Sequence, residues 1–178
     1  ITKRFGVPLA RSTLCQWMLD LADALRELYQ VMISETLRSR VVHTDDTTVP
    51  VLDPEKTKTH TGRFWVYVGD KNNRYSVFDY TRTREREGPE KFLRGFSGYL
   101  QADAYAGYDQ LYASGKVIEV ACWAHARRKF VESESSDDLR SLMVVAWIKR
   151  LYEVETEARE RGLSAEEIRA LRREKSKP

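Results

Sequence analysis

The pattern of apolar and polar positions divides the chain into a helical start, a strand-rich middle and a helical end. In the first part, apolar residues recur at steps of three and four, which indicates one face of a helix that runs to about Arg40. These residues are Leu14, Met18, Leu21, Leu25, Leu28 and Met32. So narrow a seam is typical of a helix that packs on its own domain or on a partner helix. We therefore predict a helical lead-in over residues 1–40.

Five short stretches in the middle are rich in the β-branched and aromatic residues that favour strands. They are residues 41–49, 62–69, 74–81, 98–103 and 117–122. The second and third are separated by a short turn and predict a hairpin, in which Trp65, Tyr67, Tyr75 and Phe78 alternate as core residues. Helices are predicted at 89–95 and 106–114. We therefore predict an α/β fold over residues 41–124, with a mixed five-stranded sheet and flanking helices.

The last part of the chain is helical again from Trp123 onward. A long helix, which Ser136 or Asp137 would cap, is followed by a second helix. Ser164 and Glu167 have the spacing of a capping box at the start of that second helix. We predict a C-terminal helical hairpin within residues 125–178.

The composition narrows the class of protein. Of 178 residues, 42% are hydrophobic and 32% are charged, and no apolar run approaches the roughly 18 residues that span a bilayer. The start does not have the pattern of a signal peptide, and the two cysteines lie far apart, so we expect a reducing cytoplasm. The net charge of +3 permits nucleic-acid binding without arguing for it. A chain without an initiating Met is expected to be a fragment of something longer.

Two groups of acidic residues are candidates for chemistry. Asp103 follows a buried strand, where α/β folds present charged groups, although such an acid is often only a solvated loop residue or a helix cap. Asp45 and Asp46 lie within the first strand, so they point to opposite faces of the sheet. A carboxylate inside a strand is costly unless something compensates its charge, and a divalent cation would do so. We expect Asp45 to be the functional acid and Asp46 to face outward in a structural role.

Two basic stretches are candidates for contact with phosphates. Residues 82–87 alternate in charge and predict either a solvated loop or a loop that faces phosphate. The second stretch is a triplet near the start of the C-terminal helices, Arg127, Arg128 and Lys129. The triplet suits the DNA backbone, but it is also typical of a solvated helix face.

Four motifs together resemble the DDE transposases of the insertion-sequence 66 family: HTDDTTVPVL (43–52), GRFWVYVGD (62–70), LQADAYAGYD (100–109) and CWAHARRKF (122–130). A fifth stretch, LYEVE (151–155), resembles the family more loosely. The resemblance spans nearly all of the chain. It implies an RNase H-like sheet with one catalytic acid, Asp45, on the first strand and another, Asp103, at the end of the fourth. The family's first motif usually reads Asp-Glu-Thr, and here it reads Asp45-Asp46-Thr47, which leaves the first acid in place.

The resemblance also implies metal-dependent cleavage and strand transfer of DNA. Two Mg²⁺ or Mn²⁺ ions would take part, with Asp45 binding both and Asp103 binding one. The third acid is expected beyond Pro178, after a helical insertion to which residues 125–178 would belong, and Glu155 is the competing candidate. The expected partners are transposon ends, target DNA and further copies of the chain on DNA, in the bacterial cytoplasm at the nucleoid. The alternatives are a non-catalytic DNA-binding or assembly remnant and an RNase H-like nuclease.

Overall fold

The computed structural model describes residues 8–53, 58–133 and 138–176, together with residues 6 and 135. The predicted caps Ser136 and Asp137 lie outside the described residues. The chain divides into two compact units, Ile1–Ala121 and Cys122–Pro178. The boundaries predicted at residues 40 and 124 stay predictions.

Two consecutive helices begin the first unit, α1 (Arg11–Ala24) and α2 (Arg26–Leu37). Only Leu25 separates them, and its backbone remains near the helical region, with φ −90° and ψ 0°. The predicted long N-terminal helix is therefore present as two helices in series. Helix α1 buries none of its residues, so most of the predicted apolar seam is exposed. Helix α2 packs on the core through Tyr29, Met32, Ile33 and Leu37.

A mixed five-stranded sheet follows, as predicted. Its strands are β1 (Val41–Val51), β2 (His60–Val68), β3 (Ser76–Thr81), β4 (Gly98–Ala102) and β5 (Val117–Ala121). The spatial order is β3-β2-β1-β4-β5. Strand β2 is antiparallel to both β1 and β3, whereas β4 is parallel to both β1 and β5. This order and these directions are those of an RNase H-like sheet, and they place β1 and β4 side by side at its centre.

Short helices connect the outer strands to the centre. Helix α3 (Glu87–Phe92) lies between β3 and β4 in the chain. A 3₁₀ turn (Ala106–Tyr108) and helix α4 (Asp109–Ala113) lie between β4 and β5. Strands β4 and β5 are parallel neighbours and cannot be joined by a tight turn, so the 3₁₀ turn and α4 form the crossover that this pair requires.

The core of the first unit covers one face of the sheet. Along β1, Val42 and Thr44 are buried while the intervening His43 and Asp45 are exposed. The buried cluster combines strand and helix residues: Val42, Trp65, Tyr67, Val77, Phe92, Leu93, Phe96, Leu100, Ala102, Tyr108 and Val117. The rings of Tyr67 and Phe92 stack with centroids 3.6 Å apart, which fixes α3 against the sheet.

Part of the predicted hairpin core is wrong. Trp65 and Tyr67 are fully buried as expected, but Tyr75 and Phe78 are 39% and 61% exposed. Successive strand residues point to opposite faces, and in β3 it is Val77 that faces inward, opposite Tyr67. Phe78 therefore lies on the other face of the sheet.

The second unit consists of three helices among its described residues, α5 (Trp123–Glu132), α6 (Asp138–Glu160) and α7 (Ala165–Lys175). The predicted hairpin is confirmed for α6 and α7, which share a small core of Val154, Ala158 and Leu171 with Leu163 and Ile168 packed against it. The predicted capping box is present. The Ser164 hydroxyl oxygen accepts a hydrogen bond from the Glu167 amide, and the Glu167 carboxylate accepts one from the Ser164 amide at 2.8 Å.

No helix within the described residues is both long enough and apolar enough to cross a membrane.

Candidate active site

The three candidate acids, Asp45, Asp46 and Asp103, lie near the centre of the sheet, where β1 and β4 run parallel. The last paired residues of these strands are His43 and Gln101. Asp45 and Asp103 each lie two residues further along, so continuing the register puts their backbones side by side. Asp103 is the first residue after β4 ends at Ala102. The parallel pairing therefore brings the backbones of two acids that are 58 positions apart in the sequence to the same level of the sheet. Their side chains diverge, because Asp103 and Asp46 bond the same arginine, Arg84, whereas Asp45 lies on the opposite face of β1.

Asp46 is the buried acid of this group, and the expectation that it faces outward is wrong. Its side chain is only 3% exposed. It follows Val42 and Thr44 on the core face, opposite Trp65 of β2. Because residues two apart share a face, the burial of Val42 and Thr44 fixes the orientation of Asp46.

Two arginines satisfy the Asp46 carboxylate. Arg63 Nη1 donates to Oδ2 at 2.7 Å, and Arg63 lies on the same face of β2 as Trp65, two residues away. Arg84 donates twice to Oδ1, from Nε at 3.0 Å and from Nη2 at 2.8 Å. A buried carboxylate needs such partners, since an uncompensated charge in the interior is strongly destabilising.

Arg84 also connects the two strands that bear the acids. Its Nη2 donates to Asp103 Oδ2 at 2.9 Å while it donates to Asp46. The guanidinium lies over the ring of Tyr105, 4.3 Å from the centroid, and the Tyr105 hydroxyl donates to the Arg84 carbonyl. Burial acts to lower the pKa of Arg84, but the hydrogen bonds and charges of Asp46 and then Asp103 outweigh it and raise that pKa. Arg84 is therefore a permanent cation at this site.

Asp45 occupies the opposite face of β1 and is exposed. Its Oδ1 accepts the backbone amide of Asp46 at 2.9 Å. Asp103 is intermediate, with 23% of its side chain exposed. The acids thus differ in access: Asp45 and Asp103 can meet a solvent-borne ligand, whereas Asp46 is occupied by its two arginines.

The chemistry of these side chains fits a hard divalent cation held in part by water. Mg²⁺ prefers oxygen ligands, and it is commonly bound by one or two carboxylates with several retained waters. Asp103 offers such oxygens beside Asp46, directly after β4, and Asp45 offers them on the opposite face of β1. In the part of the chain that the structure describes, no group of three or more His, Cys, Asp or Glu side chains is arranged to hold a metal ion. The residues present therefore match an incomplete carboxylate site.

The remaining predicted residues lie in the second unit. Arg127, Arg128 and Lys129 are exposed on α5, and Lys129 Nζ is 3.3 Å from Glu132 Oε2. Glu155 of α6 is held by a bidentate ion pair with Arg172 of α7, at 2.6 and 2.7 Å. The hydrogen bonds from Arg172 lower the pKa of Glu155. Glu155 therefore connects the two helices of the hairpin.

Sequence reasoning missed Arg63, Arg84 and Tyr105 as parts of the site. Arg84 lies in the stretch of alternating charge that predicted either a solvated or a phosphate-facing loop. The structure gives it a third role, pairing with acids. Tyr105 is inside the LQADAYAGYD motif, two residues after Asp103, so its proximity could have been noticed.

The fold and these acids define an α/β domain with an RNase H-like sheet, with candidate acids within β1 and directly after β4. The chain belongs to the Transposase IS66 family, whose model matches residues 1–178. This membership supports a transposase-related role.

Three proteins of Sinorhizobium fredii (strain NBRC 101917 / NGR234) are similar to this chain. The uncharacterized protein y4hP is 33% identical over 194 residues, covering 97% of this chain and 35% of the relative. The uncharacterized protein y4qI is 31% identical, with 97% and 34% covered, and the uncharacterized protein y4jD is 29% identical, with 98% and 36% covered. The chain thus spans about a third of the length of the curated relatives that it matches.

Proposed function

We propose that this chain is the central catalytic part of a transposase that cleaves DNA strands and transfers them to a target. The observation that supports the proposal is that Asp45 and Asp103 each lie two residues beyond the last parallel pair of β1 and β4, in a chain of the Transposase IS66 family. Asp45 and Asp103 are the residues that would hold the two divalent ions.

Both steps of transposition are in-line displacements at phosphorus, first by water and then by a freed 3′-hydroxyl. Bound Mg²⁺ or Mn²⁺ supplies activation of the attacking oxygen and stabilisation of the leaving oxygen. The contribution of the protein is position, because rigid strands hold the two carboxylates at fixed places. Asp46 contributes indirectly by fixing Arg84 beside Asp103.

The third acid of the site is proposed to come from the part of the longer relatives that this chain does not span. Glu155 is the less suitable candidate, because both of its carboxylate oxygens accept hydrogen bonds from Arg172. Binding of a metal ion by Glu155 would require breaking its ion pair with Arg172, which joins α6 to α7.

DNA is the proposed partner, contacted on its backbone by Arg127, Arg128 and Lys129. Their exposure leaves them accessible to phosphates, and contacts of this kind are salt-sensitive and independent of sequence. Assembly of several copies on transposon ends, in the bacterial cytoplasm at the nucleoid, belongs to the same proposal.

The test is a joining assay with the complete protein that contains this chain. Labelled DNA carrying the element's ends is incubated with supercoiled plasmid and Mg²⁺, and joined product is measured. Asp103→Asn should abolish joining, whereas Asp109→Asn, a change at a nearby exposed acid, should retain it. Cleavage without joining would indicate a nuclease, and DNA binding without either reaction would indicate a binding or assembly role.

A further inference from the structure

The Arg84 guanidinium is a cation that contacts the same carboxylate, that of Asp103, which the proposed metal site uses. Its Nη2 lies 2.9 Å from Asp103 Oδ2 and 2.8 Å from Asp46 Oδ1. One guanidinium nitrogen thus joins an oxygen of the core-facing acid to an oxygen of the strand-end acid. A divalent ion on that Asp103 oxygen would take the place of this hydrogen bond.

The contacts of Arg84 are unequal in strength. Asp46 accepts two of its N–H groups, and Tyr105 supports both its guanidinium and its carbonyl. Asp103 accepts a single N–H. The guanidinium is therefore anchored from the Asp46 side, and the hydrogen bond to Asp103 is the one that can be given up while Arg84 stays in place.

We propose that Arg84 is a positioning residue that competes with divalent cations for Asp103 and so sets the metal affinity of the site. Two effects act in the same direction. Metal binding has to replace a charge-assisted hydrogen bond, and the fixed positive charge of Arg84 repels a divalent ion placed a few ångströms away. This inference rests on the proposed function, since it requires that Asp103 bind metal.

Arg63 provides a matched control for Arg84. It also pairs with Asp46, at 2.7 Å, and it carries the same charge. Arg63 donates to Asp46 Oδ2, whereas Arg84 donates to Asp46 Oδ1 and to Asp103. Replacing either arginine by glutamine removes one cationic partner of Asp46, but only Arg84→Gln removes the cation that contacts Asp103.

The experiment is calorimetric titration with Mn²⁺ of the unchanged chain and of Arg84→Gln, Arg84→Lys, Arg63→Gln and Asp103→Asn. We expect Arg84→Gln to bind Mn²⁺ about tenfold more tightly, the size of effect that a lost, partly exposed ion pair and a removed like charge together produce. Arg84→Lys and Arg63→Gln should stay within about twofold of the unchanged chain, and Asp103→Asn should lose binding.

The outcomes separate this inference from the proposed function. If the unchanged chain binds Mn²⁺ through Asp103 but Arg84→Gln binds no more tightly, the role of Arg84 is overturned and the metal site stands. If neither protein binds Mn²⁺, Asp103 is not a metal ligand in this chain and the role of Arg84 is overturned, while the joining assay with the complete protein decides the proposed function. Binding seen only in Arg84→Gln would support both.

A measurement on the unchanged side chain covers the case in which Arg84→Gln fails to fold. The ¹⁵N–¹H signal of Arg84 Nε should shift as Mg²⁺ is added, and it should stay still in Asp103→Asn. A signal that does not respond to Mg²⁺, in a chain that binds Mg²⁺ through Asp103, would overturn the competition.

Discussion

Substituting Asp46 by asparagine tests whether this acid is the structural anchor of the site. The side chain is 3% exposed, and its arginine partners Arg63 and Arg84 are 25% and 37% exposed. Breaking a fully buried pair costs about 3–5 kcal/mol, and an exposed pair contributes about 0–1 kcal/mol. In Asp46→Asn the two arginines lose their buried carboxylate partner, but they are partly exposed and can regain water. We therefore expect an intermediate effect, a decrease of about 2 kcal/mol in the free energy of unfolding.

The assay is urea unfolding of the chain. Unfolding is monitored by hydrogen exchange of peptides from β1 and β2, so that the signal reports on the first unit and not on the second. With a urea dependence of about 2 kcal/mol per molar, the midpoint should fall by about 1 M. Asp45→Asn is the matched control: it is the same chemical change one residue earlier, on the exposed face of β1, and its effect should be within about 0.5 kcal/mol. Equal effects of the two substitutions would refute the assignment of Asp46 as anchor and Asp45 as accessible acid.

Two further predictions concern the second unit. Arg172 lowers the pKa of Glu155 below its ordinary value of 4.5, so this pair stabilises the hairpin above that pH and is lost as pH falls through the lower, folded value. The unfolding free energy of the hairpin should therefore fall more steeply on acidification below about pH 4.5 in the unchanged chain than in Glu155→Gln; parallel pH profiles would contradict the ion pair. Replacing Arg127, Arg128 and Lys129 together by glutamine should weaken DNA binding. It should also reduce the steepness of the log–log dependence of the DNA-binding constant on salt concentration by about 2–3. An equal loss from the exposed pair Arg169 and Arg173 on α7 would mean that the triplet has no special role.

The elements of the sheet could be predicted because each strand is a local run with its own composition. Of the two acids that matter most in the resemblance, Asp103 stands within a specific motif, whereas Asp45 stands in an acid-acid-threonine run that is specific only together with the other motifs. No long-range information was needed to single them out. The C-terminal capping box was equally local, since Ser164 and Glu167 are three residues apart.

What could not be predicted is the inward or outward direction of residues in strands with two adjacent apolar positions. Val41 and Val42 are both apolar, so alternation alone leaves two choices for Asp45 and Asp46. The ambiguity is resolved only when Val42 packs into the core. Val77 and Phe78 present the same ambiguity in β3, and there the larger side chain is the exposed one.

The pairing of Arg63 and Arg84 with Asp46 depends on contacts between distant parts of the chain. Arg63 reaches Asp46 because of the register between β1 and β2. Arg84 reaches it across 38 positions of sequence. Neither pairing leaves a signal in the spacing of the residues themselves.

The most direct test of the central claim is paramagnetic broadening of backbone amide signals by Mn²⁺. The account predicts that small amounts of Mn²⁺ broaden signals around residues 45 and 103 first, that excess Mg²⁺ reverses the effect, and that the double variant Asp45→Asn/Asp103→Asn abolishes it. Broadening that is centred on other acidic residues, or that survives in the double variant, would contradict a metal site on Asp45 and Asp103.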